Sequence, residues 1–163
     1  MERIILTGFM GAGKTTAGKA LGNRLSVPVY DTDVLLEQKL GMSMNEIFDQ
    51  FGEEEFRRKE TAMLRELPEG PAVITTGGGI VMKEENRELL KQKGRIFYLS
   101  CEFNALYERL KEDTTRPLLK EKTKEQIYQL FESRMSAYEE GAIVIETTGK
   151  NPEEIAADIA ARL

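Results

Sequence analysis

Short apolar runs and longer stretches of helical period alternate along the chain. Residues 3–7 (RIILT) have the length and character of a buried strand, and a glycine-rich turn leads from them into a helix over about residues 14–25. Residues 28–31 (PVYD) give a second short strand. The Ser43-Met44-Asn45-Glu46 spacing predicts a capping box, with serine and glutamate each satisfying a free backbone N–H, that opens a helix through about Phe51. A charged helix follows over about 53–67. Residues 71–75 (PAVIT) and 95–99 (RIFYL) read as the third and fourth strands, with helices over 83–92 and 101–110. Thr123-Lys124-Glu125-Gln126 caps a long helix to about residue 140, and residues 142–146 (AIVIE) form a fifth strand. Asn151-Pro152 puts proline in the first turn of the last helix, where its missing N–H costs nothing.

Five apolar strands, each separated by at least one helix, imply an α/β fold: a parallel sheet with helices on both faces, three layers in a single domain over 1–163. No repeat, low-complexity tract or linker interrupts it. Residues 111–122 have mixed charge, contain Pro117 and lack periodicity, which predicts a mobile loop. Ligands in such sheets bind beyond the carboxyl ends of the strands, so the loops there carry the information.

Composition then removes whole classes of chemistry. The 163 residues hold no histidine, which excludes an imidazole base or ligand, and a single cysteine, Cys101, which excludes an internal disulfide and a thiolate zinc cage. Cys101 at the end of the fourth strand reads as a small packing residue. A formal charge of −5 argues against a general nucleic-acid or membrane-surface binder. No apolar run reaches the roughly 18–20 residues that cross a bilayer. The uncharged stretch 4–13 loosely imitates a secretory leader, but Gly8, Gly11 and Gly13 break it up, and the expectation is a cytoplasmic protein acting as a single copy.

Gly8-Phe9-Met10-Gly11-Ala12-Gly13-Lys14-Thr15 fits the phosphate-loop pattern G-x-x-x-x-G-K-[ST], directly after a strand and directly before a helix. The glycines let consecutive N–H groups of residues 11–16, Gly11 and Ala12 through Thr15 and Thr16, turn inward around an anion. The helix N-terminus and Lys14 add positive charge for the β- and γ-phosphates, and the Thr15 hydroxyl is placed to meet Mg²⁺. At this composition the four fixed positions co-occur by chance in roughly one sequence in a hundred, and the strand–helix context lowers that further. The protein is expected to bind a nucleoside triphosphate.

A phosphate loop alone does not separate a kinase from a switch GTPase, a motor or a regulatory module. The chain has no N-K-x-D guanine-reading segment, and its third strand ends in Thr75-Thr76-Gly77-Gly78-Gly79 where a metal-binding aspartate is usual. Carboxylates must come from Asp31-Thr32-Asp33. Two acids at i and i+2 on a strand point the same way, one toward a metal and one toward an acceptor hydroxyl that it can orient or deprotonate. The plainer reading is that one aspartate caps the following helix. Three successive glycines suggest close approach of a ligand to the backbone, against the plainer reading of a tight turn.

With Phe56-Arg57-Arg58-Lys59-Glu60 and Thr115-Arg116-Pro117-Leu118-Leu119, these motifs stand in the order and spacing of shikimate kinases, and the chain resembles that family from residue 3 to the last helix. The resemblance implies a P-loop kinase fold and transfer of the ATP γ-phosphoryl group to the 3-hydroxyl of shikimate, in aromatic amino-acid biosynthesis. It implies ATP as co-substrate with Mg²⁺, and Lys14, Asp33 and Arg116 as the catalytic set. Asp33 is the acceptor-facing aspartate, as base or as orienting group, and Asp31 the carboxylate associated with Mg²⁺ through water. Arg57 and Arg134 hold the shikimate carboxylate, a task suited to the planar guanidinium fork, and Glu60 orients Arg57. Gly77, Gly78 and Gly79 meet the substrate ring. Arg116 is the arginine of a lid over about 111–122, and a shikimate-binding helical region spans about 33–60. Arg109 stacks on adenine, and Asn151-Pro152 stands where the family's adenine loop lies, though a helix-surface arginine and a helix-starting proline need no ligand. Arg134-Met135-Ser136-Ala137-Tyr138 departs from the Arg-Asn-Pro-Leu-Tyr of many relatives. A kinase for another small anionic polyol and a nucleotide-binding regulatory module without turnover are the alternatives.

Overall fold

The computed structural model describes residues 2–112 and 122–163. Its strands are β1 (Ile4–Thr7), β2 (Val29–Asp31), β3 (Val73–Thr75), β4 (Arg95–Ser100) and β5 (Ile143–Glu146), all parallel, in the order β2-β3-β1-β4-β5. Successive strand residues project to opposite faces, yet every residue of β1 and β3 is buried. Both faces of the sheet centre are therefore covered, as a parallel sheet requires. Burying each such Ile, Leu or Val stabilises the fold by roughly 1.5–3 kcal/mol. At the edge, β5 alternates instead, with Val144 exposed and Ile145 buried.

The helices of the described residues are α1 (Lys14–Leu25), α2 (Thr32–Leu40), α3 (Met44–Arg65), α4 (Glu84–Lys93), α5 (Phe103–Leu110), α6 (Lys124–Glu139) and α7 (Pro152–Ala160), with a 3₁₀ turn at Ile80–Met82. Helices α1 and α7 pack on each other, as do α2 on α3 and α3 on α4. A small second core of Leu36, Ile47, Phe56 and Met63 holds α2 and α3 together apart from the main one. None of the helices among the described residues is long and apolar enough to cross a membrane.

The ends of the helices largely follow the expected chemistry. Thr123 and Gln126 exchange both capping-box hydrogen bonds, at 3.2 and 2.8 Å, and so do Asn151 and Glu154 ahead of Pro152. Ser43 makes only half of the box. Its hydroxyl accepts from the Glu46 amide at 3.2 Å, but the Glu46 carboxylate accepts that same hydroxyl and not the Ser43 amide, while Glu37 of α2 takes the Met44 N–H at 2.9 Å. The two helices expected over 44–51 and 53–67 run as one, kinked at Gly52 (φ 79°, ψ 170°), a conformation that needs glycine. The short 3₁₀ turn was not expected, because its three residues, Ile-Val-Met, carry no cap and no period.

Candidate active site

The phosphate loop joins the end of central strand β1 to the start of α1. Gly13 occupies the position before the helix with φ 90°, and no side chain caps the first turn, so that helix end is open to an anion. Lys14 Nζ donates to the carbonyls of Gly8 and, at 3.3 Å, Phe9. The Thr15 side chain stands exposed, and the Thr16 hydroxyl bonds back to Gly13 O at 3.1 Å. Residues 11–16 form one wall of a cavity of about 380 Å³ whose other walls are Arg109, Lys150, Pro152 and Ile155. Arg109 Nη1 donates to Gly11 O at 2.7 Å, which fastens α5 to the loop. Pro152 faces this cavity. Asn151 does not, because its side chain caps α7 through a 2.8 Å bond from the Glu154 amide. Lys150, ion-paired with Asp158 at 2.6 Å, is a cavity residue that the sequence reading passed over; its position just before Asn151-Pro152 was the available signal.

Asp31 and Asp33 do not share a strand. β2 ends at Asp31 and α2 begins at Thr32, so the pair straddles a strand–helix junction and the i, i+2 geometry of a strand does not apply. Asp31 is the N-cap: its Oδ1 accepts from the amides of Asp33 and Val34 at 2.9 and 3.1 Å, and its Oδ2 from the Thr75 hydroxyl at 2.9 Å. Asp33, in the first turn of α2, is carried to the glycines after β3. The Gly77 amide donates to the Thr32 hydroxyl at 3.2 Å, tying that segment to α2.

Gly77, Gly78 and Gly79 form a floor under four charged side chains. A Cβ at Gly77 would lie 2.8 Å from Asp33 Oδ1 and 3.1 Å from Glu60 Oε2. At Gly78 it would lie 3.5 Å from Arg134 Nη1, and at Gly79 2.7 Å from Arg57 Cζ. The space that glycine leaves is thus taken first by the protein's own carboxylates and guanidiniums. Gly78 also abuts the phosphate loop, since its Cβ would stand 3.3 Å from the Met10 amide nitrogen. Tyr138, stacked on Tyr98, donates its hydroxyl to Gly78 O and fixes the floor to α6. Burial raises the Tyr138 pKa, which keeps that hydroxyl a donor.

The electrostatics are unusual for so small a volume. Arg57 Nη1 bonds Glu60 Oε1 at 3.0 Å one helical turn away, while its Nη2 lies 3.7 Å from the exposed Glu53. Glu60 is only 3% exposed, and its Oε2 has no hydrogen-bond partner. Burial pushes the Glu60 carboxyl up to about 7, with Arg57 pulling it down and Asp33 pushing it further up. Arg134 is likewise 3% exposed, with Nε and Nη1 unpartnered and its Cζ 5.7 Å from the Phe9 ring centre. Buried guanidinium donors without acceptors are costly, and a bound anion would supply the missing partners.

The structure therefore brings Asp33, Arg57, Arg134 and the three glycines together beside the phosphate loop, with Glu60 among them. Arg116, and with it the expected lid, lies outside the described residues for positions 113–121. The arrangement can hold a small carboxylate on two arginines and present one of its hydroxyls to Asp33, next to a polyphosphate in the loop.

The shikimate kinase family model matches residues 10–163. A shikimate kinase of Bacillus cereus is 48% identical over 155 residues, covering 95% of this chain and 94% of its own. One from Enterococcus faecalis is 47% identical over 166 residues, covering 100% and 99%. The structure of shikimate kinase from Acinetobacter baumannii in complex with shikimate superposes with a TM-score of 0.94 at 36% identity, covering 99% of this chain and 92% of the other.

Proposed function

Because the chain belongs to the shikimate kinase family, we propose that it transfers the γ-phosphoryl group of ATP to the 3-hydroxyl of shikimate, giving shikimate 3-phosphate and ADP. The observation that supports this reading is the closeness of the glycine floor to the phosphate loop at Gly78 and Met10, as expected if an acceptor site adjoins the end of a polyphosphate held there.

Arg57 and Arg134 hold the shikimate carboxylate with paired charge-assisted hydrogen bonds, which fixes the ring's direction. Asp33 takes a hydrogen bond from the acceptor hydroxyl, aligns its lone pair with the γ-phosphorus and receives its proton as the new P–O bond forms. Lys14 leaves the loop carbonyls for the β- and γ-phosphate oxygens and offsets the negative charge there. The amides of residues 11–16 cradle the phosphates, and Arg109 with Pro152 borders the adenine.

Thr15 and Asp31 are the residues that would hold Mg²⁺. Both offer hard oxygens, and among the described residues no group of three or more acidic, imidazole or thiolate side chains forms a cage, a donor set suited to an ion held mainly by phosphate and water. Both Asp31 oxygens already accept protein hydrogen bonds, an arrangement compatible with a link to the ion through water. When bound, Mg²⁺ would supply positive charge to offset that of the phosphate groups.

The test is an acceptor panel: the protein with ATP and Mg²⁺ is offered shikimate, gluconate, other small polyol acids and nucleoside monophosphates, with products read by phosphorus NMR. Shikimate 3-phosphate and ADP in equal amounts are expected. Preference for another acceptor would replace shikimate as the substrate, and ATP binding without any phosphorylated product would overturn the kinase reading.

A further inference from the structure

Asp33, Glu60, Arg57 and Arg134 share the space over Gly77, Gly78 and Gly79, two acids against two bases. Ionised together, they sum to zero. A monocarboxylate arriving on Arg57 and Arg134 adds one negative charge in a place where both Glu60 and Arg134 are 3% exposed. Excess charge at such a site is disfavoured, and the ordinary response of a buried acid is to take a proton. Glu60 is the acid least able to stay ionised. Among the described residues its Oε2 has no hydrogen-bond partner, and its Oε1 is held by Arg57 Nη1, on the guanidinium that an incoming carboxylate would also use.

Resting on the reading of the cleft as a site for shikimate, we infer that the substrate's carboxylate binds together with one proton, taken from solvent onto Glu60, a positioning residue that releases Arg57 to the ligand as it becomes neutral. The charged groups that act on Glu60 come from three helices. Arg57 lies on its own helix α3, with Glu53 behind it; Asp33 comes from α2 and Arg134 from α6. In the free cleft burial has already raised Glu60 to about 7, opposed by Arg57 and Arg134 and aided by Asp33, so a small added negative charge moves its proton occupancy at neutral pH. Shikimate removes part of the opposing influence by occupying the arginines and adds to the aiding one. Both changes have the same sign.

The measurement is calorimetry of shikimate binding to the intact protein in two buffers of different ionisation enthalpy, from pH 6 to 8.5. At pH 7.5 uptake of about half to one proton per site is expected, shrinking toward pH 6, with affinity falling by up to about tenfold per pH unit above neutrality. Glu60→Gln should bind without proton uptake and with a flattened pH profile. Should that variant misfold, ¹³C-carboxyl NMR of the wild-type protein decides: a buried glutamate should titrate near neutrality when free and at higher pH with shikimate bound. Shikimate binding with no proton exchange across this range overturns the inference and leaves the substrate reading intact, as does undiminished uptake in Glu60→Gln. Absence of any shikimate binding or turnover overturns both.

Discussion

Gly79 and Arg57 compete for one volume: a Cβ on the glycine would lie 2.7 Å from the arginine's Cζ. The guanidinium keeps its place over the glycine floor because residue 79 has no side chain. Gly79→Ala should therefore push Arg57 out of register and leave the sheet intact. Steady-state kinetics should give a shikimate KM raised by about tenfold or more, with the ATP KM unchanged. Because the clash meets the movable end of the Arg57 side chain and not backbone, the loss of stability should be small. An unaltered shikimate KM in a folded variant would refute the contact as a functional one.

Arg57→Ala removes the fork itself. Shikimate binding should weaken by about 2–5 kcal/mol, as when one partner of a desolvated charge pair is deleted. Arg57→Lys should recover only part of the loss, since an ammonium cannot give two parallel hydrogen bonds to a carboxylate. Equilibrium binding by calorimetry distinguishes these outcomes from an effect on kcat.

Asp33→Ala should lower turnover by about 10²–10⁴-fold and leave nucleotide affinity near that of the wild type, because the carboxylate stands on the acceptor side of the cleft. Fluorescent-nucleotide titration checks the second half. A parallel loss of ATP affinity would put Asp33 on the nucleotide side.

Lys14→Met should have the complementary signature, with ATP binding and kcat both damaged and shikimate binding to the free protein retained. Normal kcat would remove Lys14 from the reaction.

Glu60 makes stability depend on pH in a definite direction. Its folded-state pKa, raised from 4.5 to about 7 by burial, means that the folded protein holds this proton more tightly than the unfolded chain does. The associated stability is complete below about pH 4.5 and is lost as pH rises through about 7, a cost of at most about 3 kcal/mol. Glu60→Gln mimics the protonated form, so its stability relative to wild type should increase between pH 5 and pH 8. Urea unfolding at those two values measures the difference. A constant gap would show that Glu60 is ionised in both states throughout.

Much of this arrangement was legible in the chain. The β-rich runs named all five strands, since burial on both faces leaves β1 and β3 continuously apolar and the edge strand β5 keeps β-branched residues, and Gly8 through Thr15 placed the phosphate loop because its backbone needs glycines at fixed spacing. Asp33 stood out as a candidate carboxylate, but Arg57 and Arg134 were nameable only through motif order: the three come from α2, α3 and α6, and no local pattern says that these helices converge on Gly77–Gly79. The strand geometry expected of Asp31 and Asp33 fails for a local reason, while the plainer reading of an aspartate that caps the next helix holds for Asp31. An aspartate that ends a strand and one that caps the next helix are the same residue in sequence, and the strand geometry was extended two positions too far. Lys150 had only its place beside Asn151-Pro152 to mark it, and the unpaired edge of Arg134 could not be found, since it depends on what packs against it.

Phe56 and Arg57 are neighbours in one turn of α3. The phenylalanine closes the small core of Leu36, Ile47 and Met63 and lies 5.1 Å beneath the guanidinium, while the arginine reaches the glycine floor. Ligand preference in this cleft is consequently inherited together with the interior packing of a two-helix unit. Evolutionary drift among those apolar positions would retune molecular discrimination without altering any residue that touches the small molecule.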